Sequence, residues 1–76
     1  MKELIEYIVK RLVDNPDAVV VREVAGAETF LYEVRTGDGD LGKVIGKHGN
    51  TIRAIRTILS GVAAKEHKKA KLEIVE

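Results

Sequence analysis

Cysteine is absent from the 76-residue sequence, which excludes disulfides, thiolate metal sites and cysteine nucleophiles. Long apolar runs are absent as well: the longest covers residues 18–21, far below the ~20 residues that span a bilayer. At the N-terminus, Lys2 is followed by Glu3 and Glu6, so the apolar stretch of a secretory signal is missing. We therefore expect a cytoplasmic protein that does not enter the membrane.

Histidine and aromatic residues are scarce. The two histidines, His48 and His67, lie far apart in the sequence and have no cysteine beside them. An active site needs a base, a nucleophile or metal ligands that converge, so we expect no enzyme, no metal site and no cofactor. The aromatic residues are Tyr7, Phe30 and Tyr32, all in the first half of the chain. A binder that reads bases by aromatic stacking, such as an RRM, is disfavoured.

Charge is distributed unevenly along the chain. Residues 1–40 contain five basic and nine acidic residues, a net charge of −4, whereas residues 41–76 contain eight basic and three acidic residues, a net charge of +5. Residues 41–65 carry five basic residues and no acid. This asymmetry indicates a polyanionic partner. On charge alone, a solvated basic helix face explains the pattern equally well.

The first 40 residues predict a helix followed by two strands. Apolar residues recur with helical spacing over residues 2–14, and Asn15-Pro16 ends that pattern. The β-branched run at residues 19–24 and the alternation at residues 29–36 predict strands, antiparallel to each other through a turn at Gly26. Phe30, Tyr32 and Val34 share one face of the second strand, which we assign to the core.

The remaining residues predict two helices and a third strand. Asp40 is a candidate N-cap for a short helix over residues 41–45, and Asn50 or Thr51 for a longer helix after it. The residues assigned to the apolar face of the longer helix are Ile52, Ile55, Ile58, Leu59 and Val62. Residues 70–75 alternate as a half-buried strand. The order α-β-β-α-α-β predicts an α+β domain with a three-stranded sheet and helices packed on one face.

Two phosphate-site patterns occur in the glycine-rich segment, and neither fits its context. Gly37, Gly39 and Gly42 match G-x-G-x-x-G, but the acidic residue about 20 positions later and the parallel α/β sheet of a dinucleotide site are missing. Gly42-Lys43 resembles the end of a P-loop, but Val44 replaces the Ser or Thr that binds magnesium. A turn followed by an N-cap explains the segment better.

A second pair of glycines, Gly46 and Gly49, brackets Lys47 and His48 between the two predicted helices. Glycines permit positive φ and let another backbone approach closely. The amides at the start of the following helix are unpaired and favour anions such as phosphates, and Lys47 adds a full charge. This segment therefore indicates a phosphate-binding loop. The alternative is a helix-turn-helix connector that needs glycines only for its turn.

The segment around these glycines resembles a known family. Residues 45–52 read IGKHGNTI, which is similar to the GXXG core of KH domains. The element order resembles the type II KH arrangement, and residues 42–49 with residues 54–57 resemble the small bacterial single-KH RNA-binding proteins of the KhpA type. The resemblance covers essentially the whole chain, so residues 1–76 are interpreted as a single KH domain.

The resemblance implies a protein that binds single-stranded RNA, with the GXXG loop clamping about four nucleotides of backbone beside an apolar groove. A global or regulatory RNA-binding protein or an RNA chaperone fits this description, and single-stranded DNA remains an alternative ligand. The residues assigned to the RNA site are Gly46, Lys47, His48, Gly49, Lys43, Val44, Ile45, Asn50, Thr51, Arg53 and Arg56. For Val44, Ile45 and Ile52, core packing is the alternative to lining the groove.

The resemblance also implies a partner protein, either a second copy of the chain or a larger KH-containing RNA-binding protein. The alternative function is therefore an interaction module in which RNA binding is secondary. Ala54, Ile58 and Gly61 lie to one side of the longer predicted helix and can admit a close helix neighbour. Burial in the core or simple exposure explains these three residues equally well.

Overall fold

The computed structural model describes residues 1–75 and has the predicted order α-β-β-α-α-β. The helices and strands are α1 (Lys2–Leu12), β1 (Val20–Ala25), β2 (Thr29–Arg35), α2 (Leu41–Ile45), α3 (Asn50–Ala64) and β3 (Lys69–Val75). Short 3₁₀ turns at Pro16–Ala18 and Lys47–Gly49 precede β1 and α3. The predicted α+β class is confirmed.

The sheet is mixed, with strand order β1-β2-β3. β1 and β2 are antiparallel, with Val21 opposite Val34, and the Gly26 N–H donates to the Thr29 carbonyl at 2.9 Å to close the turn. β2 and β3 are parallel, with Tyr32 opposite Leu72. A parallel connection requires a crossover, and α2 and α3 provide it. The predicted hairpin is confirmed, and β3 forms one edge of the sheet.

The core lies between the helices and one face of the sheet. The fully buried residues include Ile5 and Val9 of α1 and Val34 of β2, and Tyr32 of β2 is only 1% exposed. Phe30 is partly buried and packs against the same cluster. The predicted assignment of the Phe30, Tyr32 and Val34 face to the core is therefore confirmed, because the alternating strand turns these side chains toward the helices.

Two details, at the end of α1 and at the start of α2, go beyond the sequence prediction. α1 ends at Leu12, two positions before Asp14, because Val13 adopts an extended backbone (φ −98°, ψ 160°) and turns its side chain into the core. Asp40 stands at the predicted N-cap position of α2, but its side chain makes no hydrogen bond to that helix. Its carboxylate instead accepts from the N–H groups of Asp14 at 3.3 Å and Asn15 at 3.0 Å.

The long helix, α3, differs from the sequence prediction in its N-cap residue and in its buried face. Gly49 stands at its N-cap position in a left-handed conformation, so neither Asn50 nor Thr51 caps it. Ile58 is 48% exposed, which contradicts its predicted place on the buried face. The residues that α3 buries are Ile52, Ile55, Leu59 and Ala63. At about 100° per residue these four form a narrow stripe, and Ile58 lies outside it.

Candidate nucleic-acid interface

The loop between α2 and α3 consists of Gly46 and the turn Lys47–Gly49, and left-handed backbone dominates it. Gly46 has φ 76° and ψ 173°, His48 has φ 57°, and Gly49 has φ 74°. The Gly46 N–H donates to the Gly42 carbonyl at 2.9 Å, and the Gly49 N–H donates to the Gly46 carbonyl at 3.1 Å. These turns leave Lys47 and His48 exposed at the tip of the loop.

The two glycines serve different purposes. A Cβ on Gly46 would collide with the Thr51 hydroxyl and lie 2.6 Å from the Thr51 Cβ, so Thr51 occupies the space that a side chain at position 46 would need. The backbone angles of Gly46 are also almost exclusive to glycine. A Cβ on Gly49 would meet only the Arg53 Nη2, at 3.6 Å. Gly49 is therefore needed for its left-handed backbone alone.

Arg53 folds back from the first turns of α3 onto the loop. Its Nη2 donates to the His48 carbonyl at 3.0 Å, and its Nη1 donates to the Asn50 side-chain oxygen at 3.2 Å. These bonds hold a guanidinium beside the loop tip, where Lys47 supplies a second cation. Within residues 1–75, neither cation is paired with a carboxylate. The loop therefore presents unneutralised positive charge around a backbone that a ligand can approach closely.

Arg56 lies further along α3 and points to the edge of the sheet. Its Nη2 donates to the Leu72 carbonyl of β3 at 3.1 Å. Between α3 and β3 runs a groove of about 340 Å³, which we call the α3–β3 groove. Its lining residues are Arg56, Ser60, Ala70, Lys71, Leu72 and Glu73.

Sequence reasoning did not assign this second wall of the interface. The signal was present in the element order, because a strand that follows β2 through two helices pairs in parallel beside it and exposes its outer edge. The polar backbone groups of an edge strand are available to a ligand. The interface therefore consists of the loop at one end and the β3 edge along one side.

Lys43 is not brought to the loop. Its Nζ lies 3.0 Å from the Asp14 carboxylate and 3.7 Å from that of Asp40, at the end of α1. The hydrogen bond and charge of Asp14, with a smaller contribution from Asp40, raise the pKa of Lys43. The charge of Lys43 is thus partly neutralised within the protein, in contrast to those of Lys47 and Arg53.

The apolar residues assigned to the site lie mainly in the core. Val44 is fully buried and Ile52 is 7% exposed, and both belong to the central cluster. Ile45 is half-buried and packs against that cluster from outside. Val44 and Ile52 therefore support the loop from beneath, and Ile45 retains surface for contact.

Residues 1–75 contain no group of three or more His, Asp or Glu side chains that could hold a metal ion. None of the helices in this part of the chain has the length and apolarity needed to cross a bilayer.

Comparisons with known proteins match the chain over nearly its whole length. The family described as KhpA/KhpB, KH domain, matches residues 2–74. The chain is 53% identical over 76 residues to the RNA-binding protein KhpA of Chlamydia trachomatis, covering 100% of this chain and 97% of that protein. It is 49% identical over 75 residues to KhpA of Clostridium perfringens, covering 99% and 100% respectively. KhpA of Aquifex aeolicus is 46% identical over 76 residues, covering 100% and 96%. No solved structure gives a significant match.

Proposed function

Because the chain belongs to the KhpA/KhpB family of KH domains, we propose that it binds single-stranded RNA through the Gly46–Gly49 loop. The observation that carries the proposal is this loop, whose left-handed backbone exposes Lys47 and His48 while Arg53 lies against it. The relatives compared above are named RNA-binding proteins and come from bacteria. We place the activity in a bacterial cytoplasm and propose a regulatory RNA-binding protein or RNA chaperone without catalytic activity.

The loop suits a phosphate backbone for two reasons. Glycine at positions 46 and 49 removes the side chains that would hold a linear polymer away from the main chain. Lys47 and Arg53 place two cations at the point of closest approach, and contacts of this kind supply most of the affinity for nucleic acid. A loop of this size clamps about four nucleotides.

The bases would then lie in the α3–β3 groove. Ala70 offers half-buried apolar surface in this groove, and the β3 edge offers backbone groups to base edges. Arg56 already donates to the Leu72 carbonyl across this groove, so its guanidinium is held where a base would lie. No aromatic side chain lines the groove, so we propose broad rather than sequence-specific recognition.

The first test compares two variants of equal charge change by fluorescence anisotropy with a short mixed-sequence RNA. Lys47→Asp with His48→Asn reverses the tip charge while keeping a residue that tolerates the left-handed backbone. Lys10→Asp makes the same formal change on α1, away from the loop. We expect about a tenfold or greater loss of affinity in the first variant and little change in the second. Equal losses, with both variants folded by circular dichroism, would contradict the loop assignment.

Salt dependence provides an independent measurement. Three to four phosphate contacts predict that log K falls with log salt at a slope of about −2 to −3, using about 0.7 per contact for single strands. The same titration with single-stranded DNA of the corresponding sequence tests whether the ribose contributes to the affinity. A slope near zero would show that the loop does not act through phosphates.

A second proposed function is self-association through α3. Ala54, Ile58 and Gly61 are all exposed on this helix, and a Cβ at Gly61 would meet no atom within 4 Å. Ile58 is a large apolar side chain left 48% exposed with no role in the core. We propose that a second copy covers this surface, and that a larger KH-containing protein can take its place.

Sedimentation of the parent and of Ile58→Asp tests this second proposal. We expect the mass of the parent to rise with concentration and the variant to stay at the mass of one chain. Val20→Asp, which places the same charge on another exposed apolar residue, on β1, serves as the control. A parent that stays at the mass of one chain at every concentration would exclude self-association while leaving the RNA proposal intact.

A further inference from the structure

Four lysines surround the turn between α3 and β3, at the end of the α3–β3 groove remote from the Gly46–Gly49 loop. We call Lys65, Lys68, Lys69 and Lys71 the distal lysine cluster. The seven residues from 65 to 71 contain these four lysines and one acidic residue, Glu66. Proposed binding at the loop accounts for none of them.

The turn that carries the cluster is held by backbone hydrogen bonds. The Lys68 N–H donates to the Ala63 carbonyl at 3.0 Å, and His67 adopts a left-handed conformation with φ 57°, which together close the end of α3. The Lys69 N–H then donates to the Glu28 carbonyl at 2.8 Å and starts β3. The Lys68 ammonium lies 4.5 Å from the centre of the Phe30 ring, a cation–π contact. The lysines therefore project from a fixed backbone.

The α3–β3 groove leads directly to this cluster. Beyond Arg56 it continues into a second hollow of about 390 Å³, and the two hollows share Ser60, Ala70 and Lys71. Ala64, Lys68 and Lys69 line the far part. The 15 residues of α3 give this path a length of about 22 Å from the loop to the turn. An RNA strand that leaves the Gly46–Gly49 loop along this groove would pass the lysines.

The charge of the cluster is available to a ligand. Within the part of the chain that the structure describes, none of the four lysines forms an ion pair, whereas Lys43 is paired with two carboxylates. Lys65, Lys69 and Lys71 are exposed, and Lys68 is half-buried against Phe30. Glu73 lies nearer the loop end and interrupts the basic surface there.

We propose that the distal lysine cluster is a second phosphate-binding site, which contacts the RNA strand beyond the nucleotides clamped by the loop. The RNA footprint then extends along the α3–β3 groove past the ~4 nucleotides of a single loop. This inference rests on the proposed RNA binding. The cluster suits an RNA backbone because three of its lysines, Lys68, Lys69 and Lys71, line the far hollow of the groove and supply positive charge that does not depend on the base.

The test uses two RNAs of the same base composition, one of four and one of ten nucleotides, in anisotropy titrations over a salt series. Lys65→Gln with Lys69→Gln neutralises two exposed members of the cluster that do not line the part of the groove assigned to the bases, and it leaves Lys68 on Phe30. Lys2→Gln with Lys10→Gln makes the same charge change on α1. A longer RNA can bind the loop in more than one position, so it binds more tightly even without a second site. The criterion is therefore whether the substitutions weaken binding of the longer RNA alone, and not the difference in affinity between the two RNAs.

We expect the Lys65 and Lys69 double variant to lose about five- to tenfold in affinity for the ten-nucleotide RNA, with its salt slope about 1.4 shallower, and to keep the parent affinity for the four-nucleotide RNA. The α1 control should match the parent on both RNAs. Equal losses on both RNAs, no loss on either, or the same loss in the α1 control would overturn the second site without affecting the proposal of loop binding. Failure of the parent to bind either RNA would overturn the proposed function itself.

Discussion

At the scale of single residues, Gly46 and Gly49 look equivalent in the sequence but meet different physical demands. Gly46 combines a backbone conformation that only glycine adopts readily with contact against the Thr51 side chain. Gly49 occupies the ordinary left-handed region with open space beyond its Cα. Asparagine tolerates that region, whereas no side chain fits at position 46.

We therefore expect Gly46→Ala to lower the free energy of unfolding by about 3 kcal/mol and Gly49→Asn by about 1 kcal/mol. The difference reflects the displacement of Thr51, which only the first substitution requires. Urea denaturation followed by circular dichroism measures both. Gly42→Ala is the control, since a Cβ there meets nothing within 4 Å and helical Ala is favoured over Gly. Equal costs at positions 46 and 49 would show that Thr51 moves aside freely.

At the scale of secondary-structure elements, the five-residue helix α2 is too short to be stable alone, and Asp40 ties it to the end of α1. The Asp40 side chain is buried and accepts two backbone N–H groups, those of Asp14 and Asn15. Lys43 bridges the carboxylates of Asp14 and Asp40 at the surface. Since the Gly46–Gly49 loop follows α2 directly, this tether also positions the loop.

Asp40→Ala should lower the free energy of unfolding by about 2–4 kcal/mol, because it leaves two backbone donors without their acceptor. Lys43→Gln should have little effect, since the Lys43 ammonium is solvated and its ion pairs are weak. Equilibrium urea unfolding distinguishes the two substitutions. A larger cost at Lys43 than at Asp40 would mean that the ion pairs, and not the hydrogen bonds to backbone, join α1 to α2.

At the scale of the whole molecule, we expect the free energy of unfolding to fall at alkaline pH. Burial raises the pKa of Tyr32, and the hydrogen bond and charge of Glu23 raise it further. The unfolded chain releases this proton near pH 10 while the folded chain retains it, so stability falls as pH rises above about 10. Lys43, whose pKa is raised by Asp14, contributes stability that is lost over the same alkaline range.

The urea midpoint should thus decline between about pH 9.5 and 11, and Tyr32→Phe should flatten this decline while lowering stability at neutral pH through loss of the bond to Glu23. Unfolding curves at a series of pH values make the comparison. An equally steep decline in Tyr32→Phe would place the alkaline sensitivity in other groups.

The order of elements and the position of the loop follow from local patterns in the sequence. The helical spacing of residues 2–12, the alternation of β2 and the glycines at 46 and 49 are signals carried by neighbouring residues. Such signals depend on backbone geometry and solvent exposure, which act over one or two turns. Together with the resemblance to KH domains, they predict the fold class.

Contacts between side chains that lie far apart in the sequence depend on the packing of the folded chain. Asp40 was predicted to cap the helix beside it, but it binds backbone groups 25 and 26 residues away. Arg56 reaches Leu72 across the groove, and Ile58 stays exposed because the sheet covers only a narrow stripe of α3. These outcomes depend on which surfaces meet when helices cross back over the sheet, and that packing is not encoded in local spacing.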